Sequence, residues 1–328
     1  RKFDNLNDSV SFSKAEIRKV VSMAGVKERR LADENLCSTD LCTAAAEKII
    51  EALNWPPDTI DAVIMVTQSP DYFLPSSSCL IHRQLKLSDN CAAFDIGLGC
   101  SGYPYGLWIA GMMVQNSGFK RIIFCHGDTP GRFSFQSDRS VALLFGDAGS
   151  ATAIEAITPN STAGWYFSMH TDGNGYKDMI IEGGGFRNRF PEDTRKFYVN
   201  MNGANIFNFT IKRVPTLITD TLQLAGEQAS DIDYFIFHQS NQYILRHIIK
   251  KLSLSEDKVP IILANYGNPG GPSIPLTITR GRLDRSSGKA LKLMLLGYGV
   301  GLSWASALIE LPSQALFEHL EISNGKGI

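Results

Sequence analysis

The chain repeats itself, and that repetition limits what it can fold into more than any single motif does. Asp58-Thr59-Ile60-Asp61-Ala62-Val63-Ile64-Met65-Val66 reads like Ser230-Asp231-Ile232-Asp233-Tyr234-Phe235-Ile236-Phe237-His238, a separation of 233 − 61 = 172 positions. The same separation, 292 − 120 = 172, relates Lys120-Arg121-Ile122-Ile123-Phe124 to Lys292-Leu293-Met294-Leu295-Leu296. A third pair, Ala151-Thr152-Ala153-Ile154-Glu155 and Ala305-Ser306-Ala307-Leu308-Ile309-Glu310, is shifted by less. Internal similarity over this distance means a duplicated unit. With 328 residues, 44% of them hydrophobic, the chain is long enough for two fused halves that share a core.

Each half offers short, nearly continuous apolar runs, at 62–66, 121–125 and 235–237, of the kind a sheet buried on both faces requires. Helical stretches at 40–53, 76–85, 100–115, 207–224 and 241–252 separate them. Strands alternating with helices predict mostly parallel sheets with right-handed crossovers, an α/β fold. Two such halves packed face to face bury a shared helix layer, and the unusually apolar helix after Cys100 suits that central place. We expect an N-terminal half over 1–160 and a C-terminal half over 161–328, with the seam at 156–165. We also expect a long irregular excursion at 164–195 and a tail without a core pattern after Asn324.

A formal net charge of −1 with no long charged run gives no electrostatic footprint for nucleic acid or an anionic membrane. No stretch reaches the roughly eighteen apolar residues of a membrane helix, and Arg1-Lys2-Phe3-Asp4 is not followed by a signal core. Six cysteines without a CxxC or a cysteine-rich framework fit a reducing compartment, so a cytoplasmic protein is expected.

The chemistry-bearing residues stand at strand ends. Cys100, in Gly97-Leu98-Gly99-Cys100-Ser101-Gly102, lies where a short strand turns sharply into the apolar helix. Backbone N–H groups and the helix end there are expected to favour thiolate over thiol, and the glycines let a substrate carbonyl approach. Cys37, Cys42, Cys79, Cys91 and Cys125 are expected to be small buried apolar residues. His238 ends an apolar strand in Phe235-Ile236-Phe237-His238-Gln239-Ser240-Asn241, the position where parallel sheets place their sites. Asn268 is set in Asn265-Tyr266-Gly267-Asn268-Pro269-Gly270-Gly271-Pro272-Ser273-Ile274-Pro275, whose prolines and glycines impose tight turns. The run Leu296-Gly297-Tyr298-Gly299-Val300-Gly301 exposes backbone N–H groups opposite the Cys100 turn. The N–H groups near Val300 and of Cys100 would jointly hold a thioester oxygen as charge develops on it. His82, Cys125 and His126 are read as structural.

Together these elements resemble the β-ketoacyl-acyl-carrier-protein synthase III group of the thiolase superfamily, over nearly the whole chain. The carrying matches are Gly99-Cys100-Ser101-Gly102, Asp138-Arg139 with Leu144-Phe145-Gly146-Asp147, Met201-Asn202-Gly203, His238-Gln239-Ser240-Asn241, Gly267-Asn268 with Ser273-Ile274-Pro275, and the closing glycine run. A Cys, His, Asn set distinguishes this group from the elongating synthases and the thiolases. The resemblance implies a five-layered, thiolase-like duplicated α/β unit with two mixed, mostly parallel sheets around a buried helix layer. It implies ping-pong acyl transfer to Cys100 from a coenzyme A or carrier-protein thioester. A decarboxylative Claisen condensation with a malonyl thioester follows, with His238 and Asn268 holding the enolate oxygen and no metal or redox cofactor. Acyl carrier protein and a second copy of the chain, as a homodimer, are the implied partners. Arg139, Leu144, Gly203, Phe207 and Asn241 match positions that bind substrate, and Leu74 matches a residue that closes the partner's acyl pocket.

The chain also departs from the pattern. Lys19 and Met23 stand ahead of Gly25-Val26-Lys27 where the family carries an adenine clamp, and Tyr243 replaces an arginine after the HQxN asparagine. The family's first strand, ahead of Asn5 and Asn7, is missing, and a truncation is expected. These differences make specialised or polyketide metabolism as reasonable a setting as fatty-acid priming. Two other readings stay open: an acyltransferase that passes the Cys100 acyl group to a hydroxyl or amine with His238 as base, and a catalytically silent binding subunit.

Overall fold

Two four-stranded sheets carry the repeat. They were described from a computed structural model covering residues 1–116, 118–157 and 164–322. The chain opens with β1 (Lys2–Asp4), α1 (Asn5–Asp8), α2 (Lys14–Ala24) and β2 (Glu28–Arg30), β1 and β2 forming an antiparallel ribbon. The first half continues through α3 (Ser38–Leu53), β3 (Ala62–Val66), α4 (Ser77–Gln84), β4 (Ala92–Ile96), α5 (Gly102–Asn116), β5 (Arg121–Asp128) and β6 (Ala148–Glu155). The second runs β7 (Tyr166–Thr171), β8 (Met179–Ile180), β9 (Asn200–Met201), α6 (Gly203–Ala225), β10 (Tyr234–Phe237), α7 (Gln242–Lys251), α8 (Leu263–Tyr266), α9 (Ser273–Arg280), β11 (Leu291–Gly299) and β12 (Ser303–Leu311).

The first sheet has the order β4-β3-β5-β6 and the second β10-β11-β12-β7. In each, three strands run one way and the last of the duplicated strands, β6 or β12, runs against them. The mixed character expected from the sequence is therefore present, but the sheets are not mostly parallel: two of the three pairings in the first sheet are parallel and one of the three in the second. Strand pairing corrects one detail of the repeat. Ala62 pairs with Ile122 and its counterpart Tyr234 with Leu293, so the true match along β5 and β11 is 293 − 122 = 171. Arg121 corresponds to Lys292, not Leu293: each stands opposite a glutamate, Glu155 or Glu310. Asp61 likewise accepts from the N–H of Arg121 and Asp233 from that of Lys292. Neighbouring basic residues misled the sequence alignment by one position.

Three apolar clusters separate five layers. Cys42, Ile49, Ile81 and Ile123 join α3 and α4 to the outer face of the first sheet. Leu107, Phe124, Ile236, Ile274 and Leu295 form the shared middle, where α5 and α9 lie between the sheets. Val214, Leu217, Leu245, Ile248 and Met294 join α6 and α7 to the second sheet. Capping sets the helix limits: Ser13 and Glu16 form a capping box at α2, the Asn241 side chain caps α7, and Gly226, with φ +70°, ends α6 in the left-handed conformation.

The excursion at 164–195 is not wholly irregular, because 166–171 form β7, antiparallel to β12. In the first half β6 is paired only with β5 among the described residues. The boundary expected at 160, and the tail after Asn324, lie outside the described residues. Cys42, Cys91 and Cys125 are buried as expected, but Cys79 faces solvent from the outer side of α4 and Cys37 is half-buried. Among the described residues no helix is long and apolar enough to cross a membrane.

Candidate active site

Cys100 lies in the turn between β4 and α5, and the last residues of β11 and the turn after it pass directly over it. A Cβ at Gly297 would sit 2.7 Å from the Cys100 carbonyl oxygen, and one at Gly299 would sit 2.9 Å from Cys100 Sγ. The glycine run is there because no side chain fits. It brings the Val300 N–H to the sulfur, alongside the N–H of Cys100 itself. A hydrogen bond of 2.7 Å between the buried hydroxyls of Ser101 and Ser303 ties the two turns together across the halves.

The expected thiolate is not the resting form. Burial pushes the Cys100 thiol up to about 12, Asp128 adds in the same direction, and the two N–H groups offset this only in part. Burial in this turn disfavours the anion and favours the thiol.

His238 and Asn268 come from the second half. His238 follows β10 directly and is 2% exposed, with Nδ1 2.8 Å from Ser273 Oγ at the start of α9. Burial pulls its imidazole down to about 4, so it is neutral over the ordinary pH range. Asn268 is 5% exposed and is clamped by its backbone: its N–H donates to Leu144 O (3.0 Å) and its carbonyl accepts from the Gly146 N–H (3.1 Å). Its Oδ1 accepts from the Gly270 N–H at 2.9 Å, and one Nδ2 hydrogen goes to Ser240 O at 3.2 Å. The other has no protein acceptor among the described residues.

Tyr298 joins these groups. Its ring stands edge-on to His238 with 5.6 Å between centroids, its hydroxyl donates to His238 O, and the Ser240 hydroxyl lies 3.4 Å from it. Its chain neighbour Gly299 touches Cys100. Tyr298 thus touches His238 while its neighbour Gly299 meets Cys100, and Asn268 is tied to the same region through the Ser240 carbonyl. Behind them, at the end of β5, sit His126 and Asp128. The Asp128 carboxyl is raised to about 7 by burial, against hydrogen bonds from the Gln68 N–H and from Thr67 and Ser69. Burial, with His238 nearby, lowers His126 to about 3; among the described residues neither ring nitrogen has a hydrogen-bond partner, though Nε2 lies 3.8 Å from Asp128 Oδ2. The structural reading of His126 leaves those nitrogens unexplained, and the sequence signalled neither residue's closeness to the site.

The expected substrate-binding residues scatter. Arg139 is on the surface, its guanidinium 2.9 Å from Glu16 of α2. The Leu144 side chain is in the second-half core, and its carbonyl, not its side chain, reaches Asn268. Gly203 opens α6 with nothing within 4 Å of where its Cβ would be. Phe207 is half-buried and packs on Tyr243 and His247 at 5.5 and 5.6 Å. Asn241 spends its side-chain oxygen on the Ile244 N–H. Leu74 is 80% exposed, beside Phe73, whose ring lies 6.0 Å from Phe186. Sequence reasoning passed over Tyr298, Ser240 and Ser273, although all three lay inside motifs it quoted.

Known proteins resemble this chain along nearly its whole length. Residues 94–173 match the family model for 3-oxoacyl-[acyl-carrier-protein] synthase III, and 222–311 match the model for its C-terminal part. A putative 3-oxoacyl-[acyl-carrier-protein] synthase 3 of Campylobacter jejuni is 35% identical over 93% of this chain and 88% of its own length. The β-ketoacyl-[acyl-carrier-protein] synthase III of Caldanaerobacter subterraneus is 31% identical over 89% and 88%. Among solved structures, a 3-oxoacyl-(acyl-carrier protein) synthase from Burkholderia xenovorans superposes with a TM-score of 0.90 at 40% identity, covering 95% of this chain and 91% of that one.

Proposed function

The chain belongs to the 3-oxoacyl-[acyl-carrier-protein] synthase III family of condensing acyltransferases, and we propose that it carries an acyl group on Cys100 and condenses it with a malonyl thioester. In the first half-reaction the sulfur attacks the donor's thioester carbon while the N–H groups of Cys100 and Val300 hold the tetrahedral oxyanion. The carbon–sulfur bond to the donor breaks, and the departing thiolate takes up the proton that Cys100 gave up. The malonyl thioester then loses carbon dioxide, and the electron pair of the broken carbon–carbon bond moves into an enolate. His238 and Asn268 donate to its oxygen. The enolate carbon attacks the Cys100 thioester, the carbon–sulfur bond breaks, and the sulfur recovers a proton from solvent as the β-ketoacyl product leaves. Hydrogen-bond donors suffice for each step, so the reading calls for no metal or redox cofactor.

The observation that carries this reading is the character of the pair opposite the thiol. A neutral imidazole and an amide with one uncommitted N–H are both donors, suited to a growing negative charge. The hydroxyl or amine acyltransferase alternative needs His238 as a base, and an imidazole held this far down is a poor one.

The partner proposed is an acyl carrier protein, which in the names of the relatives carries the 3-oxoacyl product and so would bring in the malonyl group. Glu16 pairs with Arg139 at the surface, and Met23 offers no aromatic face. Homodimerisation through the apolar surface around Leu74 and a cytoplasmic location complete the proposal. Cys100→Ala is expected to abolish acyl loading, read by intact mass. His238→Ala and Asn268→Ala should load but release carbon dioxide from malonyl carrier protein about 10²–10³ times more slowly. Equal loss of loading in all three variants would contradict this division of roles.

A further inference from the structure

Proton counting around His238 singles out a residue to which the chemistry above gives no role. Ser273 is fully buried at the first position of α9, and its Oγ has two polar neighbours. The Gln239 N–H, at 3.2 Å, can only donate to it. His238 Nδ1, at 2.8 Å, can donate or accept. If Nδ1 carried the ring proton, Ser273 Oγ would accept twice, and its own hydrogen would have no other acceptor among the described residues. Burying an unmade hydroxyl donor is costly. If the Ser273 hydroxyl donates to Nδ1, its hydrogen is placed and the ring proton sits on Nε2; the Gly270 carbonyl also faces the ring.

We propose that Ser273 is a positioning residue that fixes His238 as the Nε2–H tautomer, so that the imidazole presents a donor, and not a lone pair, to the reacting thioester. The functional half of this rests on the decarboxylative reading of the site; the tautomer itself does not. Ser273 holds the ring at Nδ1, not at the nitrogen that meets substrate. Through its Gln239 contact it also fixes the backbone just beyond β10.

The test is the ¹⁵N spectrum of histidine-labelled enzyme at pH 7, with the His238 signals assigned by their loss in His238→Ala. The expected result is a protonated-type Nε2 and an unprotonated, hydrogen-bonded Nδ1. A proton on Nδ1 in the wild-type enzyme overturns the proposal whether or not the enzyme decarboxylates malonyl thioesters. In Ser273→Ala the Nε2–H preference should be lost and carbon dioxide release should fall about 10- to 100-fold, with acyl loading of Cys100 within twofold of wild type. Ser273→Thr, which keeps the hydroxyl, should restore most of both. A Ser273→Ala enzyme that keeps the Nε2–H tautomer and full decarboxylation overturns the proposal while leaving the condensing activity standing.

Discussion

At the scale of single residues, the nucleophile is the least expected feature. A cysteine at a strand-to-helix turn invites the idea of a standing thiolate, yet burial and the nearby Asp128 hold the Cys100 thiol up at about 12 against two N–H groups. The thiolate fraction of a group titrating there grows about tenfold per pH unit throughout the neutral range. Alkylation of Cys100 by iodoacetamide should therefore keep rising from pH 6 to pH 9; a plateau below pH 8 would show a resting anion and contradict the account. Cys100, His238 and Asn268 were legible from the sequence because each stands where a strand or a proline- and glycine-bound turn delivers it. Tyr298, Ser240 and Ser273 were not, because their contacts depend on how β10, β11 and α9 lie against one another, and no local pattern encodes that.

At the scale of elements, the central helix shows how close packing places the site. Gly106 of α5 lies against the buried Phe124 of β5, and a Cβ there would come within 2.2 Å of the ring. Helix propensity favours alanine over glycine by about 1 kcal/mol, but forcing a methyl into this contact costs about 1–3 kcal/mol. Packing wins, so Gly106→Ala should lower the urea midpoint without changing the slope of the transition; a higher midpoint would refute the fit. The five helical stretches read from the sequence match α3 to α7 to within a few residues, since apolar spacing is a local signal, whereas α1, α2, α8 and α9 were not among them. Strand β7 was not. Tyr166-Phe167-Ser168-Met169-His170-Thr171 sits in a stretch rich in glycine and charge, and only its pairing with β12 makes it a strand.

At the scale of the whole molecule, duplication explains why the site exists at all. One copy supplies the proposed nucleophile after β4, and the other supplies the proposed donors after β10 and α8, across a core that both share. That plan was visible in the repeat, though its register along β11 was off by one until the strands were paired. The surface carrying Tyr72, Phe73, Leu74, Phe186 and Phe190 is too apolar to leave in water. Sedimentation should show a dimer at micromolar concentration that Phe73→Asp with Phe186→Asp converts to monomer; an unchanged dimer would move the interface elsewhere. The central claim is that an acyl group on Cys100 meets a carbanion made by decarboxylation. Its most direct test is release of labelled carbon dioxide from malonyl carrier protein by enzyme whose Cys100 acylation is verified by intact mass. The account predicts release matched mole for mole by β-ketoacyl product and discharge of the acyl-enzyme; an acylated enzyme that discharges to a hydroxyl or amine acceptor with no carbon dioxide released would contradict it.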